Sequence, residues 1–77
     1  MKKDAKFEGM TFCITGTLSQ LRENVIFYIS DNGGTVTTAV SSKTTYLLVG
    51  DNPGSSKMSA ANQFGTKIIN EEDLENM

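Results

Sequence analysis

Two short segments, far apart in the chain, carry the residues best suited to bind an anion. The first is an apolar run that ends in Thr15-Gly16, and the second is Ser55-Ser56-Lys57, which follows the turn-forming stretch 50–54. A glycine directly after a strand lets an anion approach backbone N–H groups, and Thr15 adds a hydroxyl donor. A helix that starts at Ser55 or Ser56 adds free N–H groups and the positive end of its dipole, to which Lys57 contributes an ammonium. With the guanidinium of Arg22, which opens an earlier predicted helix, these groups predict a phosphate site.

Each of these features also has a purely structural interpretation. A Thr-Gly pair after a strand is often only a turn, Ser-Ser-Lys is often only a helix cap with a solvated lysine, and Arg22 could simply cover its helix. Spacing alone leaves both interpretations open. The glycines match neither a Walker loop nor a dinucleotide fingerprint, so we expect no bound nucleotide cofactor.

Composition narrows the possible functions. The chain of 77 residues has no His and one Cys, which argues against His-based catalysis, the usual zinc sites and an internal disulfide. We therefore expect no cofactor, no metal and no catalytic residue, and we interpret Cys13, in the middle of an apolar strand, as an inert core thiol. A net charge of −2 argues against broad attraction to duplex DNA, so any nucleic-acid contact must be local. No apolar stretch is long enough to span a membrane, which predicts a cytoplasmic protein without membrane contact.

The order of apolar segments predicts four strands and three helices. The first helix turns its apolar stripe inward and stops at Gly33-Gly34, which we interpret as structural, and the second runs from a cap at Ser55 or Ser56 to Gly65. Asn70 is predicted to cap the third helix, with Leu74 facing inward. The predicted strands are Thr11–Thr15, Thr35–Thr37, Tyr46–Val49 and Lys67–Ile69.

This alternation predicts an α/β domain with a parallel sheet and helices on both faces, because parallel strands need crossover connections. The sequence pattern leaves the strand order open. If the first and third strands are neighbours, the chain leaves them in opposite directions and a crevice forms at their carboxyl ends. Thr15-Gly16 and the loop 50–57 would then line this crevice.

Several blocks in order along the chain closely resemble a BRCT domain. The resemblance extends from Phe7 to Leu74 and rests on the segments 7–18, Arg22, 33–36, 41–50 and 54–57. It is closest to the single-copy subtype at the C-terminus of bacterial NAD-dependent DNA ligases and in the large subunit of the clamp loader, replication factor C. The resemblance implies a four-stranded parallel sheet in the order 2-1-3-4 flanked by three helices, formed by residues 7–77 after a disordered segment 1–6. Many BRCT domains carry a Trp in the third helix, where this chain has Leu74.

The resemblance also implies a function. In this subtype the Thr-Gly pair, an early Arg and the Lys of the second helix contact a 5′-phosphate at a DNA end, and these residues correspond to Thr15, Gly16, Arg22 and Lys57. Lys43, before the third strand, corresponds to a weaker contact with the DNA backbone. We therefore expect a monomeric, non-catalytic module that recognises a 5′-phosphorylated nick, gap or recessed end. Its expected parent is a bacterial NAD-dependent DNA ligase or a related replication or repair protein, cytoplasmic and associated with the nucleoid.

The alternative is a protein-interaction module. BRCT domains also bind phosphoserine peptides, usually as tandem pairs in which the second unit contacts residues beyond the phosphate. The 77 residues correspond to one such unit, so we expect peptide binding to be the less favoured function. An apolar helix face that includes Phe27 and Tyr28 is a second candidate for binding a protein partner. The simpler interpretation of Phe27 is that it partly covers a loop.

Overall fold

The computed structural model describes residues 6–77, so most of the predicted disordered segment 1–6 lies outside the described residues. Lys6 is described, and its ammonium donates hydrogen bonds to the Tyr28 hydroxyl at 2.7 Å and to a Met77 oxygen at 2.8 Å. Among residues 6–77, no helix is long and apolar enough to cross a membrane. The elements in chain order are β1 (Thr11–Thr15), α1 (Arg22–Asp31), β2 (Thr35–Thr37), β3 (Tyr46–Val49), α2 (Ser55–Phe64), β4 (Lys67–Asn70) and α3 (Glu71–Glu75).

The four strands form one parallel sheet in the order β2-β1-β3-β4, which confirms the order implied by the resemblance. β1 lies between β2 and β3, with Phe12 in register with Val36 on one side and Tyr46 on the other. Tyr46 is in register with Lys67 of the edge strand β4. Because β1 and β3 are neighbours, a crevice forms at their carboxyl ends, as the topological argument required.

Side chains alternate along β1 and build a core on each face of the sheet. Phe12 and Ile14 join a cluster with α1 and α3, whereas Cys13 joins a smaller cluster with Leu47 and with Ala61 of α2. α1 and α3 therefore share one face of the sheet, and α2 covers the other. The larger cluster contains Phe7, Phe12, Ile14, Val25, Ile29, Leu48, Ile69 and Leu74.

Cys13 is fully buried, in agreement with its interpretation as a core thiol. Burial raises the pKa of this thiol, and the positive charges of Lys57 and Arg22 lower it by a smaller amount. A thiol that is both buried and protonated is a poor nucleophile.

The ends of α1 follow the predicted pattern. Val25 and Ile29 are its buried residues, and Gly33 follows the C-cap with a φ of 91°. A Cβ on Gly34 would lie 2.6 Å from Cγ2 of Ile29, so the pair both stops the helix and allows close packing.

The predicted side-chain cap of α2 is wrong. Gly54 is the N-cap, in an extended conformation and without a side-chain cap, and Ser55 and Ser56 lie inside the helix. The cap predicted for α3 is confirmed as a capping box: Asp73 N–H donates to Oδ1 of Asn70 at 2.7 Å, and Asn70 N–H donates to Oδ2 of Asp73 at 3.2 Å. Gly65 ends α2 with a φ of 72°, as predicted.

The two aromatic residues of α1 have different environments. Tyr28 is half-buried and packs edge-to-face on Phe7, with ring centroids 5.8 Å apart. Phe27 is 69% exposed, so most of its ring faces solvent, and partial cover of a loop stays a prediction. Each helical residue is rotated by about 100°, which places Phe27 about 200° away from Val25 and from Ile29, on the solvent side.

Candidate phosphate-binding site

The carboxyl end of β1 meets the start of α2 through a hydrogen bond. Thr15 is buried, and its Oγ1 accepts a hydrogen bond from the backbone N–H of Gly54 at 3.0 Å. A hydroxyl that accepts one bond still has its own hydrogen to donate. The two segments that the sequence singled out are therefore adjacent, as predicted.

Gly16 is required for a structural reason. Its φ is 84°, and a Cβ there would lie 2.8 Å from the carbonyl oxygen of Asp51. Directly after it, Thr17 and Asp51 exchange two backbone hydrogen bonds of 2.8 Å, which join the loops that follow β1 and β3. Gly16 therefore lies close to the backbone of the loop that contains Asp51. The approach of an anion to Gly16 stays a prediction.

Arg22 is the first residue of α1 and reaches back over the preceding loop. Its Nη2 donates to the carbonyl oxygen of Gly16 at 3.1 Å. A guanidinium has five N–H donors, so most of them remain available for an acceptor in the adjoining space. Arg22 thus lies close to the end of β1, as the site prediction required.

Lys57 lies in the first turn of α2 and shares a crevice with Arg22. Both cations act on the pKa of the Cys13 thiol, in agreement with positions near the end of β1. Neither forms an ion pair with a carboxylate of residues 6–77. The crevice has a volume of about 340 Å³ and is lined by Ile14, Arg22, Ile26, Val36, Thr37, Thr38 and Lys57. It therefore holds two positive charges that no carboxylate of the described chain neutralises.

The first turn of α2 adds backbone donors. The N-cap Gly54 has no side chain, so no cap accepts a hydrogen bond from the N–H groups of Ser55, Ser56 and Lys57. The positive end of the helix dipole lies at the same place. The free N–H groups and the helix dipole that the sequence predicted for phosphate binding are thus available, but the helix begins after a glycine rather than a serine.

A second crevice at the same edge of the sheet is acidic. It lies at the ends of β3 and β4, has a volume of about 330 Å³, and is lined in part by Asp51, Glu71 and Glu72. Glu71 accepts hydrogen bonds from the backbone N–H and the hydroxyl of Ser19, at 2.8 and 2.7 Å, and these bonds lower its pKa. Electrostatics therefore favours an anion on the side of β1 and β2, and disfavours one beside β3 and β4.

Of the five predicted residues, the structure brings Arg22 and Lys57 together in the basic crevice, whose lining does not include Thr15 or Gly16. Lys43 lies apart from these four residues. It is exposed in the loop that enters β3, where Thr45 N–H donates to the carbonyl oxygen of Thr11 at 2.7 Å. Thr11 begins β1 and Thr15 ends it, and a strand rises about 3.3 Å per residue, so about 13 Å separate the two edges. Lys43 lies at the amino edge of the sheet, and its contact with a DNA backbone stays a prediction.

Some residues of the site were not found from the sequence. Thr37 and Thr38 line the basic crevice, and the bond between Ser19 and Glu71 joins residues 52 positions apart. Neither has a local sequence signal, because both depend on where distant elements end. Within residues 6–77, no group of three or more His, Cys, Asp or Glu side chains is placed to hold a metal ion.

Comparison with known proteins shows what this chain is similar to. A DNA ligase of Thermosipho africanus is 51% identical over 77 residues, which is 99% of this chain and 11% of the ligase. A DNA ligase of Metamycoplasma arthritidis is 48% identical over 71 residues, 92% of this chain and 10% of that protein. The chain thus spans about a tenth of the length of the curated relatives it matches.

The fold has a counterpart among solved structures. The solution structure of the BRCT domain from human DNA repair protein REV1 superimposes with a TM-score of 0.69 at 23% identity, covering 94% of this chain and 72% of that one. The sequence model of the BRCA1 C Terminus (BRCT) domain matches residues 2–77. Since that match includes almost the whole sequence, the chain belongs to the BRCT family.

Proposed function

We propose that this domain is a non-catalytic DNA-binding module that holds the 5′-phosphate of a DNA end or nick. The observation that carries the proposal is the crevice shared by Arg22 and Lys57, whose lining among the described residues contains no acidic side chain. The hydroxyl of Thr15 and the first turn of α2 offer further donors at the same edge of the sheet, although Thr15 is not among the lining residues of the crevice. Charge-assisted hydrogen bonds of this kind are the strong ones in proteins.

The charge of the crevice suits a terminal phosphate. A phosphate monoester carries a charge of about −1.5 to −2 near pH 7, whereas each internal phosphodiester of DNA carries −1. Two adjacent cations balance the terminal group and leave excess positive charge beside an internal one. The site therefore favours the end of a strand over its interior.

Lys43 provides a second, weaker contact in this proposal. It lies about 13 Å from the end of β1 along this strand, so it would meet an internal phosphate of the DNA backbone rather than the terminal one. A single exposed lysine adds affinity without preference for a phosphorylated end.

The parent protein that we propose is a bacterial NAD-dependent DNA ligase, in line with the DNA ligases to which the chain is similar. In such a protein the module would hold the phosphorylated side of a nick while other domains carry out the chemistry. The domain itself would position the DNA end and would contribute no group to the reaction.

The decisive experiment compares duplexes that differ only in the phosphate. Fluorescence anisotropy titrations with a recessed 5′-phosphorylated end and the matching 5′-hydroxyl end are expected to differ by at least tenfold in Kd. A nicked duplex with a 5′-phosphate at the nick should behave like the phosphorylated end. Equal affinity for the phosphorylated and hydroxyl ends would end this proposal.

A second candidate function is binding of a protein partner, and the exposed ring of Phe27 favours it. At 69% exposure this ring offers apolar area on a helix that is otherwise anchored through its opposite face. Phe27→Ser should then abolish partner binding and leave DNA binding unchanged. A phosphoserine peptide that displaces the phosphorylated duplex would instead assign the basic crevice to peptides.

A further inference from the structure

We infer that the basic crevice also seats the 5′-terminal nucleoside, so that the domain binds a whole nucleotide displaced from the end of the duplex. This inference rests on the proposed function, because it places the sugar and base next to the phosphate held by Arg22 and Lys57. It adds a recognition step that a phosphate site alone does not need.

The crevice exists because β2 is short. β2 pairs with β1 only from Thr11–Thr35 to Cys13–Thr37, whereas β1 continues through Thr15. The last two residues of β1 therefore have no strand beside them on this side, although β3 pairs with them on the other. The gap lies between the starts of α1 and α2, where the two cations are.

The lining of this gap is more apolar than a phosphate requires. Ile14, Ile26 and Val36 form its apolar walls, and Thr37 and Thr38 add hydroxyls. Thr37 donates its hydroxyl hydrogen to the carbonyl oxygen of Ala39 at 3.1 Å, so the oxygen is left to accept a hydrogen bond from a ligand. Apolar walls with a few polar groups are typical of sites for small organic molecules.

The size and charge of the crevice indicate a nucleoside. About 340 Å³ is near the lower end of the roughly 300–1,000 Å³ of small-molecule sites, which leaves room for one nucleoside and excludes a base pair. The guanidinium of Arg22 offers a plane on which a base can stack. A nucleoside bonded to the phosphate is already held next to the crevice, but its base must unstack and unpair before it can enter.

The inference predicts a dependence on base pairing at the end of the DNA. A base enters the crevice only after it leaves its partner, and this step is easier for a mismatched base. A phosphorylated end with a terminal mismatch should therefore bind about tenfold more tightly than the paired end. A phosphorylated end whose last residue is an abasic tetrahydrofuran should lose most of this gain.

The experiment uses the 77-residue chain and four duplexes: paired, mismatched and abasic 5′-phosphorylated ends, and a paired 5′-hydroxyl end. Thr38→Phe fills the crevice from an exposed position and should bring mismatched and abasic ends to the same Kd. Thr35→Phe is the matched control, because Thr35 is exposed at the opposite end of β2. It should leave the order of the Kd values unchanged.

The outcomes separate this inference from the function it rests on. If the wild-type chain prefers phosphorylated ends but binds mismatched and abasic ends equally, the seat for the nucleoside is wrong and the phosphate site stands. If phosphorylated and hydroxyl ends bind equally, both proposals are overturned. The comparison on the wild-type chain decides the matter even if Thr38→Phe does not fold.

Discussion

Replacement of Lys57 by Ala is expected to weaken binding of a 5′-phosphorylated end about 10–60-fold and to change binding of a 5′-hydroxyl end far less. Two unit charges about 4 Å apart interact by about 1 kcal/mol in water and about 4 kcal/mol near a protein surface of low polarity. Lys57 is half-buried and has no carboxylate partner in residues 6–77, so about 1.5–2.5 kcal/mol is a reasonable loss. At about 1.4 kcal/mol per factor of ten, this loss gives the stated range.

The assay is an anisotropy titration of both duplexes with the wild-type chain, Lys57→Ala and the matched control Lys67→Ala. Lys67 is exposed, opens β4 in register with Tyr46, and so lies at the amino edge of the sheet. Its removal changes the net charge equally and should alter both Kd values about twofold or less. The reasoning is refuted if Lys57→Ala weakens both duplexes equally, or if Lys67→Ala reproduces its effect.

Three further predictions concern the framework around the crevice. Thr15→Val should lower the free energy of unfolding by about 1–3 kcal/mol in urea titrations, because the Gly54 N–H loses its acceptor, whereas Thr15→Ser should retain most of it. Gly16→Ala should lower it by about 2 kcal/mol or more, because the left-handed backbone and the contact with the next loop both disfavour a Cβ. Hydrogen bonds from Ser19 lower the pKa of Glu71 in the folded state. The stability that Glu71 contributes is therefore complete above its pKa in the unfolded chain and is lost as the pH falls through its pKa in the folded protein. Glu71→Gln should remove this dependence and flatten the acid side of a plot of melting temperature against pH.

The elements of the fold were predictable where the sequence signal is local. The continuous apolar runs at Thr11–Thr15 and Tyr46–Val49 gave the bounds of β1 and β3, since buried parallel strands have this pattern. The strand order followed only from the resemblance, because it depends on pairing between strands that are far apart in the sequence. The N-cap of α2 was missed because Gly54 has no side chain that could signal a cap, whereas the two serines that follow it are common cap residues.

The site was predictable to the extent that topology determines it. Once β1 and β3 are neighbours, Thr15 and Lys57 must lie at one edge of the sheet, and the structure places them there. The position of Lys43 at the other edge follows from the same topology, because the segment before a strand of a parallel sheet lies at the amino edge. The bounds of β2 were predicted correctly, but the crevice also depends on the register of β2 with β1, for which the sequence has no local signal.

The separation of charge at the carboxyl edge explains how an acidic chain could select the ends of DNA. The net charge is −2, and the two crevices at this edge have opposite character, basic beside β1 and β2 and acidic beside β3 and β4. A continuous duplex across the edge would bring its phosphates near Asp51, Glu71 and Glu72, whereas a strand that ends in the basic crevice need not. Salt at physiological concentration screens exposed charges beyond about 8–10 Å. Repulsion from the acidic crevice and attraction to the basic crevice therefore act only on phosphates close to them. If the domain binds DNA ends as proposed, selectivity would come from repulsion of the continuing strand as much as from attraction of the phosphate, and added salt should reduce both the affinity and the preference.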